Sequence, residues 1–98
     1  MQIEGFDWDI GNWPKCGKHG VSRKEIESLF LSGAARVAPD LRHSSPAEIR
    51  HIAVGTVGGR ALFVAFTLRA QKIRPISARY MHEQERLQYE ESTHYDKR

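Results

Sequence analysis

Ninety-eight residues, 40% hydrophobic and 28% charged, make one ordinary globular domain spanning 1–98, with one core and little room for a second. A single cysteine excludes an intrachain disulfide and a cysteine-based zinc site, and a net charge of +3 is only a mild basic excess. With no long apolar run and no signal-peptide pattern, a cytoplasmic protein without membrane contact is expected.

Residues 3–8 alternate weakly and are expected as a first strand. Gly11, Pro14 and Gly17 interrupt residues 9–18, so any helix there is short or broken. Ser22-Arg23-Lys24-Glu25 fits a capping box, in which Ser22 accepts from the Glu25 amide and Glu25 reaches back to the Ser22 amide. Ile26, Leu29 and Phe30 follow at helical spacing on one face, and Ser32-Gly33 stops the helix. Residues 34–38 read as a short strand ended by Pro39, and residues 42–46 as a polar loop. The clearest strands are 49–57 and 60–68, joined by Gly58-Gly59, a two-residue hairpin signal. A last strand covers 73–80 and a charged helix 82–91, with 91–98 expected as a flexible tail. The fold class is α+β: an N-terminal strand and helices on a mainly antiparallel sheet, with a C-terminal helix, in the order β-α-α-β-β-β-β-α.

The hairpin register decides where the charges go. With Gly58 and Gly59 as the turn, Val57 faces Arg60 and Arg50 falls opposite Thr67. Leu62, Val64, Phe66 and Leu68 form an apolar row toward the helices, which sends Arg50, Thr67 and Arg69 to the other face. Pairing Phe66 with Ile76 and Val64 with Ala78 through a three-residue loop at 70–72 adds Ser77 and Arg79 to that face. Its floor is partly apolar, because Ile52, Val54 and Phe63 share it; His51 turns inward as a core histidine. Arginines on a strand are poor core material, but a guanidinium fork on a fixed platform is a good phosphate clamp. The segment from Arg69 to Arg79 adds Lys72 and Arg74, and points to a phosphate-rich partner, RNA above all.

The chain resembles the BrnT family of bacterial type II toxins. The resemblance runs from Phe6 to Glu90, through Phe6-Asp7-Trp8-Asp9, Asn12 and Lys18-His19-Gly20-Val21-Ser22 with Glu25 and Phe30. It continues through Asp40-Leu41-Arg42-His43-Ser44, Phe66-Thr67-Leu68-Arg69, Ile76-Ser77-Ala78-Arg79, Glu85-Arg86 and Tyr89-Glu90. It implies a small RelE-like fold and an endoribonuclease that inhibits growth. It also implies neutralisation by an antitoxin with a DNA-binding segment of ribbon-helix-helix type, as a heterotetramer or beside a homodimer. Pro75 and Met81-His82 depart from the family pattern: Pro75 removes a ladder donor, so the last strand is expected to be an edge or bulged there, and Met81-His82 is expected to displace the start of the last helix.

The chemistry expected is attack on phosphorus by the RNA's own 2′-hydroxyl, without a metal or cofactor. Arg79 and Arg50 are the expected phosphate clamps, and Arg69 assists. His19 or Glu85 would transfer protons and Lys18 would be a second cation or acid, with base and acid left open. Thr67, Ser77, Arg74 and Lys72 are the expected RNA contacts. Structural readings stand beside these. Lys18-His19-Gly20 can simply end a helix, Arg50 can guard an edge, and Arg79 can pair with an acid of the last helix. A non-catalytic module that binds RNA or a DNA-binding repressor is the alternative function.

Overall fold

Ser22 caps α1 (Arg23–Leu31) in the reciprocal way its sequence requires. The Glu25 amide donates to Ser22 Oγ at 3.1 Å, and the Ser22 amide donates to Glu25 Oε1 at 3.0 Å. Ile26 and Leu29 then leave the helix on its buried side. The computed structural model describes residues 4–33 and 35–96. After α1 come β1 (Arg36–Pro39), β2 (Arg50–Val57), β3 (Arg60–Arg69), β4 (Lys72–Tyr80) and α2 (Glu83–Asp96). The four strands form one antiparallel meander in chain order. Short 3-10 turns occupy Lys15–Gly17 and Leu41–His43. The fold class is therefore α+β, and α2 runs past the expected end at Glu91 to Asp96.

Gly58 and Gly59 adopt φ of 58° and 80°, the left-handed geometry of a tight hairpin, and fix Val57 opposite Arg60 and Arg50 opposite Thr67. The β3–β4 connection departs from expectation. It has two residues, Ala70 and Gln71, both left-handed at φ 53° and 65° without a glycine, so Arg69 faces Lys72. Phe66 therefore faces Pro75, not Ile76. A bulge between Ala65 and Phe66 absorbs Ile76 and restores Val64 opposite Ala78 and Ala65 opposite Ser77. Proline has no amide to give the ladder, so the irregularity falls where pairing costs least.

The expected N-terminal strand contracts to a single parallel bridge, Phe6 with Ile73, along the outer margin of β4. Its residue Ile3 lies outside the described residues. The amides of Glu4 and Asp7 donate to Gln71 and Ile73 carbonyls, and the Ile73 amide returns to Gly5. Beyond the bridge, Asn12 takes over. Its side-chain amide, 3% exposed, donates to the carbonyls of Asp7 at 2.9 Å and Pro75 at 3.0 Å, and its oxygen accepts from the Asp9 amide at 2.8 Å. The core fills the space between this layer and one sheet face: Cys16, Val21, Ile26, Leu29, Ala53, Leu62, Val64, Phe66, Ile73 and Ala78. His51 joins it, stacked 5.4 Å from Phe66, but its Nδ1 is buried without a hydrogen-bond partner.

Asn12→Ala leaves two carbonyls and an amide short of a partner and should lower stability by about 2 kcal/mol. Urea unfolding midpoints of the two proteins measure it; an unchanged midpoint would show that the N-terminal arm is not fastened there.

Candidate functional site

Alternation along the strands puts Arg50, Ile52 and Val54 of β2, Phe63 and Arg69 of β3, and Ser77 and Arg79 of β4 on the sheet face away from the core. This is the face the sequence indicated. The arginines do not, however, converge on one pocket. Arg79 lies opposite Phe63, whereas Arg50 lies opposite Thr67, four positions along β3 and on its other side. The Cα separation this implies is on the order of 16 Å. Two clusters result.

In the first cluster, the Arg79 guanidinium sits 4.4 Å from the Phe63 ring centroid. Its Nη1 and Nη2 donate to Glu85 Oε1 and Oε2 at 2.6 and 2.9 Å. Glu85 also accepts from the His82 amide at 2.9 Å, which caps α2. The guanidinium foremost, and then that amide, hold the Glu85 carboxyl well down, at about 2. Such a carboxylate is a feeble base near neutral pH, so the proton-transfer role expected of Glu85 gives way to an ion pair. Beside the pair, a groove of about 520 Å³ runs between α2 and the sheet. Ala38, Ile52, Val54 and Phe63 line it from the strands, and Glu85, Gln88 and Tyr89 from the helix.

In the second cluster Glu48 stands between two cations, accepting from Arg50 Nε at 3.2 Å and lying 3.8 Å from Arg69 Nη2. Lys72 is exposed across the turn from Arg69, and Ser77 is exposed near the middle of β4. Thr67 is 3% exposed, and its hydroxyl donates to the Ile49 carbonyl at 2.9 Å, so it fastens the strand start and is not open to RNA. Arg74 is also withdrawn from the expected RNA contacts. Its Nη1 and Nη2 donate to Asp9 Oδ2 and Oδ1, both at 3.0 Å, and Asp7 lies 3.5 Å away. It clamps the N-terminal arm. Lys18 and His19 sit in the helix layer, between buried Cys16 and Val21, exposed and in contact with neither arginine cluster.

His82, which the sequence reading did not single out, stands beside the first cluster. It starts the last helix one turn before Glu85, its side chain is exposed, and its charge when protonated acts on Glu85. A histidine three positions before the acid that an arginine on the preceding strand could grip was the available signal. Among the described residues no group of three His, Cys, Asp or Glu side chains is placed to hold a metal ion. No helix among them is long and apolar enough to cross a membrane.

A family model described as ribonuclease toxin, BrnT, of type II toxin-antitoxin system matches residues 8–85. The chain belongs to that family. No curated protein and no solved structure matches it. As a BrnT family member it comes from a group of ribonuclease toxins, each implying a cognate antitoxin. The matched region closes on Glu85, so it contains the Arg79–Glu85 pair, while most of α2 lies past it.

The lowered Glu85 value fixes the sign of a pH effect. A carboxyl whose folded pKa is below its ordinary 4.5 stabilises fully above that pH, and the contribution fades as pH falls toward about 2. Carboxyl-carbon NMR should find Glu85 titrating near 2 in the wild type and returning toward the ordinary range in Arg79→Ala. Identical titrations in both would contradict the pair.

Proposed function

We propose that the chain is a metal-independent endoribonuclease toxin of a type II toxin-antitoxin pair, cleaving RNA at the Arg79 end of the open sheet face. The observation that carries this reading is the Arg79 guanidinium 4.4 Å from the ring centroid of Phe63, a residue that lines an apolar groove. A guanidinium fork matches two phosphate oxygens, and the apolar floor beside it suits unstacked bases. Arg50 and Arg69, farther along the same face, would bind a neighbouring phosphate of the strand, with Lys72 and Ser77 flanking the path. The 2′-oxygen attacks phosphorus, the bond to the 5′-oxygen breaks, and a 2′,3′-cyclic phosphate and a 5′-hydroxyl remain. Negative charge grows on the non-bridging oxygens, and Arg79 stabilises it most in the transition state.

For proton transfer the imidazole of His82 is the best placed, exposed beside the Arg79–Glu85 pair, and imidazole is the side-chain type suited to general acid–base work. His19, in the helix layer, is not beside that pair. The cognate antitoxin of this reading carries a ribbon-helix-helix DNA-binding segment and assembles with the toxin as a heterotetramer.

Purified chain incubated with a defined single-stranded RNA should release 2′,3′-cyclic phosphate ends at the same rate with or without EDTA. Arg79→Ala should slow cleavage by about 10²–10³-fold. His82→Gln should slow it less and remove one limb of the pH–rate profile. Intact RNA under all conditions, or cleavage abolished by EDTA, would overturn the reading.

A further inference from the structure

Each guanidinium given to phosphate on the open face already holds a carboxylate. Arg79 grips Glu85 through both terminal nitrogens, and Arg50 and Arg69 share Glu48. The two seats differ in what the carboxylate belongs to. Glu48 precedes β2 in a short loop, whereas Glu85 stands in the first turn of α2. Among the described residues no other element packs extensively against that helix. Its later turns overhang the groove: Gln88 and Tyr89 face the strands across it, while Leu87 stays exposed. The Met81 amide donates to the Ala61 carbonyl, which fastens the chain just before the helix. Among the described interactions, the helix is fastened just before its start and tied to the sheet in its first turn by the bidentate Arg79–Glu85 ion pair.

We propose that Glu85 is an internal anion seated in the phosphate site of Arg79, and that α2 is a lid closed by it. Substrate RNA enters by exchanging a phosphate for this carboxylate, which releases the helix and opens the groove. The inference rests on the reading of Arg79 as a phosphate ligand. A phosphodiester offers two unesterified oxygens to the fork that Glu85 now fills, so both cannot bind it in the same bidentate way. The exchange swaps one charge-assisted pair for another, which keeps its cost small and makes it sensitive to salt. Acid does not open the lid in the neutral range, because Glu85 stays ionised down to about 2.

Glu85→Gln isolates the effect. Glutamine still accepts from the His82 amide in the cap, so α2 keeps its start and loses only the charge on Arg79. Glu90→Gln is the control. It removes the same charge from the same helix at an exposed pair with Arg86 and leaves Arg79 untouched. The probe is a short single-stranded RNA made uncleavable by 2′-O-methylation, with affinity read by fluorescence anisotropy and α2 opening by amide hydrogen exchange. Glu85→Gln should bind about fivefold tighter than wild type, and its α2 amides should exchange faster without RNA. The probe should also speed exchange over α2 in the wild type, and Glu90→Gln should match the wild type throughout. Affinity unchanged or weakened in Glu85→Gln, with Arg79→Ala still weakening binding, removes the lid alone and makes Glu85 a positioning residue for Arg79. Affinity untouched by Arg79→Ala removes the phosphate reading and the exchange together.

Discussion

Slipping an antiparallel pair by one residue turns every side chain to the opposite face. The chirality of the Gly58-Gly59 turn prevents that slip, since both residues occupy backbone space that other side chains enter at a cost. From this one turn, Arg50 and Arg69 are kept out of the core and Leu62, Val64 and Phe66 are put into it. The second turn works at a different cost. Ala70 and Gln71 hold left-handed conformations without glycine, and the strain is balanced by the long β3–β4 ladder it closes. The bulge at Ile76, just after Pro75, then corrects the phase, so that Ala78 returns to the core and Arg79 emerges beside Phe63.

Arginine placed on a sheet in this way must be hydrated or paired, and here it is paired in three styles. Arg74 is 13% exposed and gripped by two aspartates, an arrangement that fastens the arm to the strand and leaves no donor face for a ligand. Arg79 is 30% exposed, with an aromatic ring beneath it and a carboxylate at its tip. Arg50 and Arg69 are more open still and share a single acid. The gradient runs from structural clamp to accessible cation along one face. It separates arginines by what they can exchange, which residue type alone cannot do.

Much of this was legible in the sequence where the determinant is local. The capping box at Ser22 and Glu25, the double-glycine turn and the alternation of β3 each act within a few residues, and each formed as read, except that Leu68, at the end of the apolar row, is left exposed. The face carrying Arg50, Arg69 and Arg79 follows from those local rules by parity. What was not legible depends on pairs distant in the chain. Arg74 meets Asp9 from 65 positions away, and nothing in its immediate neighbours distinguishes it from Arg69. Arg50 and Arg79, both expected as phosphate clamps, stand apart for a related reason: parity assigns a face, but only the position along the strand assigns a neighbour. Glu48 lay between the expected loop at 42–46 and the expected strand at 49–57, and its two arginine contacts depend on residues brought to it by the fold. The β3–β4 turn was misjudged because two left-handed non-glycine residues carry no compositional mark.

The arm that crosses β4 also has a bearing on assembly. With Phe6 bridged to Ile73 and Asn12 bonded to the Pro75 carbonyl, that margin of the sheet has much of its hydrogen-bonding capacity already taken. The opposite margin is β1, four residues long, and its last member, Pro39, offers no amide. Alternate amides of β1 already face β2, so continuous strand addition by another polypeptide is limited to two outward donors at most within β1.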